Sequence, residues 1–310
     1  LLPAITTHQT VISFRIKITV CLISLLVTCS LYAQSPYTWY VFNIPPYGSD
    51  YKGGIGFELV EAYEKAGLGN EIVVANAARW FVDMTNPEKL NFCSSGSWKL
   101  PATDHRVYSN SINNTVDYGV AVRPELYEQL NKDLSRARVS IKTIIEHTKT
   151  AGHLIIMHGR PVFGEMNEII EHSKQQKDVK IAYMTASEGP LSMLKMATVK
   201  SRQVDSVLIF PEEFANFSKE NPEHELKYLM LEEGISFAPI RASCPNTESG
   251  RQIISKINKL LDEGLRAKAL KLFLDALPDM QEIKEQAIRN QHCIKLNQCK
   301  DPLIELSKGN

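Results

Sequence analysis

Apolar and polar positions along this chain follow two alternating rhythms. From Tyr37 to Asn43 the residues are aromatic and β-branched, which predicts a strand, and Pro45-Pro46-Tyr47-Gly48 breaks it into a loop. Phe57, Leu59, Val60, Tyr63 and Ala66 then recur at helical spacing and stop at Gly67. Glu71 to Ala75 reads as a strand, Ala77 to Met84 as a helix, Leu90 to Ser94 as a strand, and Val116 to Val122 as another β-rich run. This β-α-β-α-β order predicts a largely parallel sheet with helices on its faces.

A polar stretch from Pro124 to Thr148 reads as helical, and then the alternation restarts. Strands are expected at His153–Met157, Val179–Met184, Val204–Phe210 and Leu226–Leu231, with helices at Gly164–His172, Glu188–Thr198 and Pro211–Lys219 between them. After Ile235–Ile240 the pattern becomes helical, over Glu248–Asp262, Leu265–Leu277 and Asp279–Asn290. Two α/β units followed by returning helices predict two lobes. Val116–Val122 and Ile235–Ile240 are the natural crossovers. The expected division is 34–117 for the first part of lobe 1, 118–236 for lobe 2, and 237–310 for the return to lobe 1 and the C-terminal helices. Ligands of open α/β sheets bind beyond the carboxyl ends of the strands, so two facing lobes predict a cleft between them.

The first 33 residues break this pattern. Arg15 and Lys17 precede a short apolar run, Ile18 to Val27, and Leu31-Tyr32-Ala33 follows. That is the layout of a secretory signal peptide, and its apolar run is too short to span a bilayer as a helix. A periplasmic protein is expected. Cleavage after Ala33 and lipidation at Cys29 both fit this leader. Beyond it lie Cys93, Cys244, Cys293 and Cys299, an even number that in an exported protein favours disulfides. Four cysteines allow three pairings; a Cys293–Cys299 staple on the tail would leave Cys93 and Cys244 to form a long-range bridge. Their spacing lacks the close pairs of a zinc site.

Charge adds an exclusion. Lys plus Arg and Asp plus Glu are equal at 35 each, so no global field recruits nucleic acid or an anionic membrane. The histidines show no H-E-x-x-H spacing, and no nucleophile elbow, P-loop or dinucleotide fingerprint is present. Neither a metal, a cofactor nor a catalytic constellation is expected, and the chain reads as a binding protein and not an enzyme.

Several stretches in order carry a resemblance. They are Pro45-Pro46-Tyr47, Gly54-Ile55-Gly56-Phe57-Glu58-Leu59, Ala78-Arg79-Trp80, Cys93-Ser94-Ser95-Gly96 and Thr103 to Ser109. Met193 to Met196, Gln203 to Val207 and Cys244 to Gly250 complete the set. Together they resemble the extracellular solute-binding proteins of family 3, over about Tyr37 to Leu277. The resemblance implies a two-lobed type II periplasmic-binding-protein fold with two crossover strands. It also implies a monomer that closes on a small-molecule ligand and delivers it to the membrane permease of an ABC importer. A sensory clamp acting on a membrane receptor is the alternative, and some relatives of this fold are dehydratases.

In that family a Thr and an Arg matching Thr103 and Arg106 grip the ligand's carboxylate, a task suited to the planar, permanently charged guanidinium. Two departures bear on the ligand. The family's hydroxyl-bearing turn after the first strand of the second lobe is replaced by Gly159-Arg160-Pro161, and the acidic residue that holds a ligand ammonium is replaced by Phe210, with Glu212 and Glu213 beyond it. A polar ligand with one anionic end and an uncharged or ring-shaped body is therefore expected. Thr103 and Arg106 would hold the anionic end, Tyr47 and Trp98 would pack the body, Ser95 would lie beside them, and Arg160 or Glu212 would reach in from the opposite lobe.

Overall fold

The computed structural model describes residues 37–48, 53–69, 71–99, 103–131, 138–160, 162, 164–185, 189–199, 201, 203–234 and 239–295. The expected leader, Cys29 and Cys299 lie outside these, as does the side chain of Cys293.

The first sheet is built on β1 (Thr38–Phe42), which pairs in parallel with β2 (Ile72–Ala75) on one side and β3 (Phe92–Ser97) on the other. Helix α1 (Ile55–Lys65) buries Ile55, Leu59, Val60 and Tyr63, spaced to make one apolar face, in the same cluster as Trp39 and Val41. Each such side chain contributes roughly 1.5–3 kcal/mol on burial. Asn76 caps α2 (Ala77–Thr85) by accepting from the Arg79 N–H at 2.8 Å. β4 (Arg106–Tyr108) and β5 (Asn113–Asn114) follow, and both pair with a strand that arrives from far along the chain, β12 (Pro239–Pro245). The order is β2-β1-β3-β12-β4, with β5 also on β12. A disulfide between Cys93 on β3 and Cys244 on β12 ties these neighbours together.

The second sheet takes the middle of the chain: β6 (Gly119–Val122), β7 (Arg138–Val139), β8 (Leu154–Met157), β9 (Ile181–Met184), β10 (Ser206–Ile209) and β11 (Lys227–Leu231), in the order β7-β11-β6-β10-β8-β9. β6, β8 and β10 are buried along their whole length, which is why they read as continuous apolar runs and not as alternating ones. Helices α3 (Pro124–Asn131), α4 (Ile141–Thr150), α5 (Gly164–Ser173), α6 (Gly189–Thr198) and α7 (Pro211–Glu220) complete this part. The helical stretch expected from Pro124 to Thr148 is thus two helices with a strand between them. Arg138 and Val139 pair with β11, and a new helix starts because Ser140 accepts from the Lys142 N–H and Glu233 from the Ile141 N–H.

The first crossover is also shorter than expected, since strand geometry begins only at Gly119. It is pinned at Asp117, whose carboxylate lies 2.8 Å from the Arg138 guanidinium. Arg138 also donates to the Leu231 carbonyl at 2.9 Å, so one side chain grips both segments that lead between the sheets. A Cβ on Gly234 would sit 2.7 Å from Cβ of Asp117, so these segments touch and glycine permits it. Beyond β12 the chain is helical: α8 (Glu248–Leu260), a π-turn (Leu261–Leu265) where Gly264 has φ 122°, α9 (Arg266–Ala276) and α10 (Gln281–Lys295). Glu282 of α10 completes the Arg138 network at 3.3 Å. Among the described residues, no helix is long and apolar enough to cross a membrane.

Candidate functional site

The two sheets point their carboxyl ends at one another, and a cavity of about 80 Å³ lies where they meet. Phe42 and Ile44 approach it from the end of β1, Trp98 from the end of β3, Arg160 from beyond β8, and Phe210 from the end of β10. This is the position at which open α/β sheets bind ligands. The volume is roughly half the ~150 Å³ of an engineered cavity that takes up benzene. The lobes are therefore drawn together around a small space.

The walls are mainly apolar. Trp80 stands against Phe42 with ring centroids 4.7 Å apart, and Trp98 faces Phe210 at 5.8 Å. Tyr118 also stacks on Phe210, with centroids 4.0 Å apart, which holds that ring in place. Tyr47 is held by the start of α1: the Ile55 and Gly56 N–H groups donate to the carbonyls of Pro46 and Tyr47 at 3.0 and 2.8 Å. Those bonds require close approach. A Cβ on Gly56 would lie 2.8 Å from the Val41 side chain, and Gly54 sits at φ 122° with no room for a side chain.

The polar floor is a buried ion pair. Arg160 donates to both oxygens of Glu213, at 2.7 and 2.5 Å, and their side chains are 6% and 1% exposed. Glu213 also accepts from the Phe210 N–H at 3.2 Å, and the guanidinium lies 5.2 Å from the Phe210 ring centre. Burial opposes the charge on Arg160, but the Glu213 carboxylate outweighs it and raises the guanidinium's pKa above its ordinary value.

Glu212, fully buried beside this pair, accepts a hydrogen bond from the Tyr47 hydroxyl. Its second oxygen has no partner. Burial first, and then the charge of Glu213, push the Glu212 carboxyl up to about 7, while the bond from Tyr47 acts in the opposite direction. Tyr47 is pushed up in turn by burial and by the Glu212 charge. The Tyr47–Glu212 bond joins the loop after β1 to the first turn of α7, and so joins the two lobes.

Tyr47, Ser95, Trp98 and Arg160 all line the cavity, and Glu212 stands behind Tyr47. Thr103 and Arg106 do not join them. β4 begins at Arg106 opposite Pro245, the end of β12 remote from the cavity, because β12 runs antiparallel to β3. There Arg106 is buried, donates to the carbonyls of Phe92 and Ser243 at 3.0 and 3.3 Å, and covers the Phe92 ring at 4.4 Å. Thr103 shares a hydrogen bond with the Tyr108 hydroxyl at 2.7 Å. Neither residue lines the cavity: Arg106 starts β4 at the base of the first sheet, and Thr103 lies just before the turn that leads into it. Sequence reasoning missed Glu213 as the partner of Arg160 and Phe42 as a wall; Trp80, whose place on its helix also suits core packing, is both buried and part of the lining. The adjacent Glu212-Glu213 at a helix start was visible, but nothing local says which carboxylate faces Arg160.

No protein-family model matches the sequence, and no curated protein matches it. Solved structures do. The arginine-, lysine-, histidine-binding protein ArtJ from the thermophilic bacterium Geobacillus stearothermophilus has a TM-score of 0.55 at 12% identity, over 80% of this chain and 98% of that one. An amino acid ABC transporter substrate-binding protein of Streptococcus pneumoniae, bound to L-arginine, has a TM-score of 0.53 at 14% identity, over 81% of this chain and 95% of that one. The GluR0 ligand-binding core in complex with L-glutamate has a TM-score of 0.54 at 13% identity, over 77% and 97%. These likenesses establish the fold, the two-lobed α/β clamp in which solute-binding proteins are built.

Proposed function

We propose that this chain is an exported solute-binding protein, a clamp whose lobes, divided near residues 117 and 237, close on a small ligand by bending at the paired crossovers. The cavity at the meeting of the two sets of strand ends carries this reading, because both lobes contribute walls to it and the Tyr47–Glu212 bond crosses it. A clamp of this kind is a hinge equilibrium that a ligand biases by touching both lobes at once. The folds it shares include an ABC transporter substrate-binding protein, which supports delivery of the captured solute to an importer. The anionic grip first expected at Thr103 and Arg106 is not part of the proposal, since neither residue lines the cavity.

The test is a melting-temperature screen of residues 34–310 against amino acids, carboxylates, sugars, nucleosides and uncharged ring compounds. It is paired with small-angle scattering to report lobe separation. A solute present at a hundred times its dissociation constant adds about 2.7 kcal/mol of stability. A stabilising solute that changes the radius of gyration and is recovered chemically unchanged supports the clamp. A solute that is consumed would establish an enzyme in its place.

A further inference from the structure

We propose that the cleft takes an uncharged, single-ring ligand bearing a carbonyl oxygen, and discriminates against carboxylates and α-amino acids. This rests on the clamp reading above and names its ligand class.

Charge is the first argument. Among the described residues that line the cavity, Arg160 is the cation and Glu213 the anion, and the two are bonded to each other through both carboxylate oxygens. A ligand carboxylate would have to share a guanidinium already neutralised, with Glu213 against it and Glu212 close by. In a site of low dielectric, an anion without its own counter-charge is expelled. A ligand ammonium fares no better. Glu213 accepts from Arg160 and from the Phe210 N–H, and Glu212, although its second oxygen has no partner, stands behind Tyr47 and is not among the residues lining the cavity.

Hydrogen-bonding capacity is the second. A guanidinium carries five N–H donors. The ion pair uses two bonds from Arg160, so donors remain for a neutral acceptor. The hydroxyls of Ser95 and Ser97 already donate to the carbonyls of Tyr40 and Arg241. Arg160 thus keeps donor capacity at the site, which suits a carbonyl oxygen.

Shape is the third. Trp98 from one lobe faces Phe210 from the other, and Phe42 with Trp80 closes a further side. Closing the lobes brings aromatic faces onto the contents of the cavity, and aromatic faces pack best on another ring. The volume is below that of a cavity that takes up benzene, so a single ring enters only as the lobes part, and a fused or extended ligand needs still more opening.

Three compounds with the same ring and different charge test the idea: benzamide, benzoate and benzamidine, titrated calorimetrically into residues 34–310 at pH 7.5. L-arginine and L-glutamate serve as amino-acid comparators. Benzamide should bind at least tenfold more tightly than any of the others, and Trp98→Ala should weaken it by at least tenfold while leaving the circular-dichroism spectrum unchanged. Benzoate, benzamidine or either amino acid binding as tightly as benzamide would overturn the ligand class and leave the clamp standing. Failure of benzamide to bind at millimolar concentration overturns it as well. If, in addition, no solute in the wider screen alters lobe separation, the clamp reading falls with it.

Discussion

The Tyr47 hydroxyl reaches across the cleft to the carboxylate of Glu212, so a tyrosine on one lobe is the hydrogen-bond partner of a buried acid on the other. The acid lies in a setting that favours its neutral form, with a pKa near 7 in the folded chain against 4.5 for the free side chain. Below about pH 4.5 it is protonated whether the chain is folded or not. Between about 4.5 and 7 the folded chain holds a proton that the unfolded chain has released, so stability from this group declines as pH rises through that window. Glu212→Gln keeps an acceptor for Tyr47 and abolishes the titration. The stability of the variant relative to the parent should rise by on the order of 3 kcal/mol between pH 5 and pH 8, measured by urea denaturation at each pH. A difference that stays flat with pH would show that Glu212 titrates normally.

The Arg160–Glu213 pair makes a different prediction, because both members are buried and each cancels the other. Arg160→Ala should cost about 3–5 kcal/mol in denaturant, since it leaves Glu213 charged in an apolar setting. Replacing both by Met and Leu should cost much less, because the volume is kept and no charge is stranded. Equal losses in the single and double variants would mean that the pair contributes packing only.

Much of the fold was legible because its strands and helices carry strong periodicity. α1 shows one apolar face in Ile55, Leu59, Val60 and Tyr63, and β8 is an unbroken run from Leu154 to Met157. β7 was illegible, because two residues have no period and it exists only through its pairing with β11. Tyr47, Trp98 and Arg160, which line the cavity, stand where loops follow strand ends, a placement readable from the chain's pattern. Arg106 marks a limit of the sequence: an Arg near a Thr looks the same whether it grips a ligand or covers Phe92, and its placement away from the cavity is set by where β4 pairs on β12.

The Cys93–Cys244 bridge closes a sequence separation of 151 residues and encloses the entire second sheet. A cross-link over so long a loop restricts the unfolded chain strongly, by about 4–5 kcal/mol in the loop-entropy account. Cys93→Ala with Cys244→Ala should therefore lower stability by about 2–5 kcal/mol, with the fold kept at 25 °C. In the oxidised, denatured parent these two cysteines should resist a maleimide reagent until a reductant is added. Labelling of Cys93 or Cys244 without reductant, read by peptide mass spectrometry, would show that the bridge does not form in the oxidised protein.

Arg138 is where lobe motion and stability meet. It lies 2.8 Å from Asp117 on the first crossover and donates at 2.9 Å to the carbonyl of Leu231, the last residue of β11 before the chain turns back, with Glu282 of α10 at 3.3 Å. Burial raises the pKa of Asp117, and the bond from Arg138 opposes that shift. Arg138→Ala removes the opposing charge, so the Asp117 carboxyl should rise further and the variant should be comparatively more stable in acid than at neutral pH. The loss at pH 7.5 should be about 2–4 kcal/mol, and adding Asp117→Asn should recover part of it by removing the stranded carboxylate. Because Arg138 ties the first crossover to the end of β11, its loss should also loosen the segments on either side, seen as faster amide exchange at 115–118 and 231–234 than in the parent. If exchange there is unchanged while stability falls, Arg138 acts only as the counter-charge of Asp117 and not as a brace on the hinge.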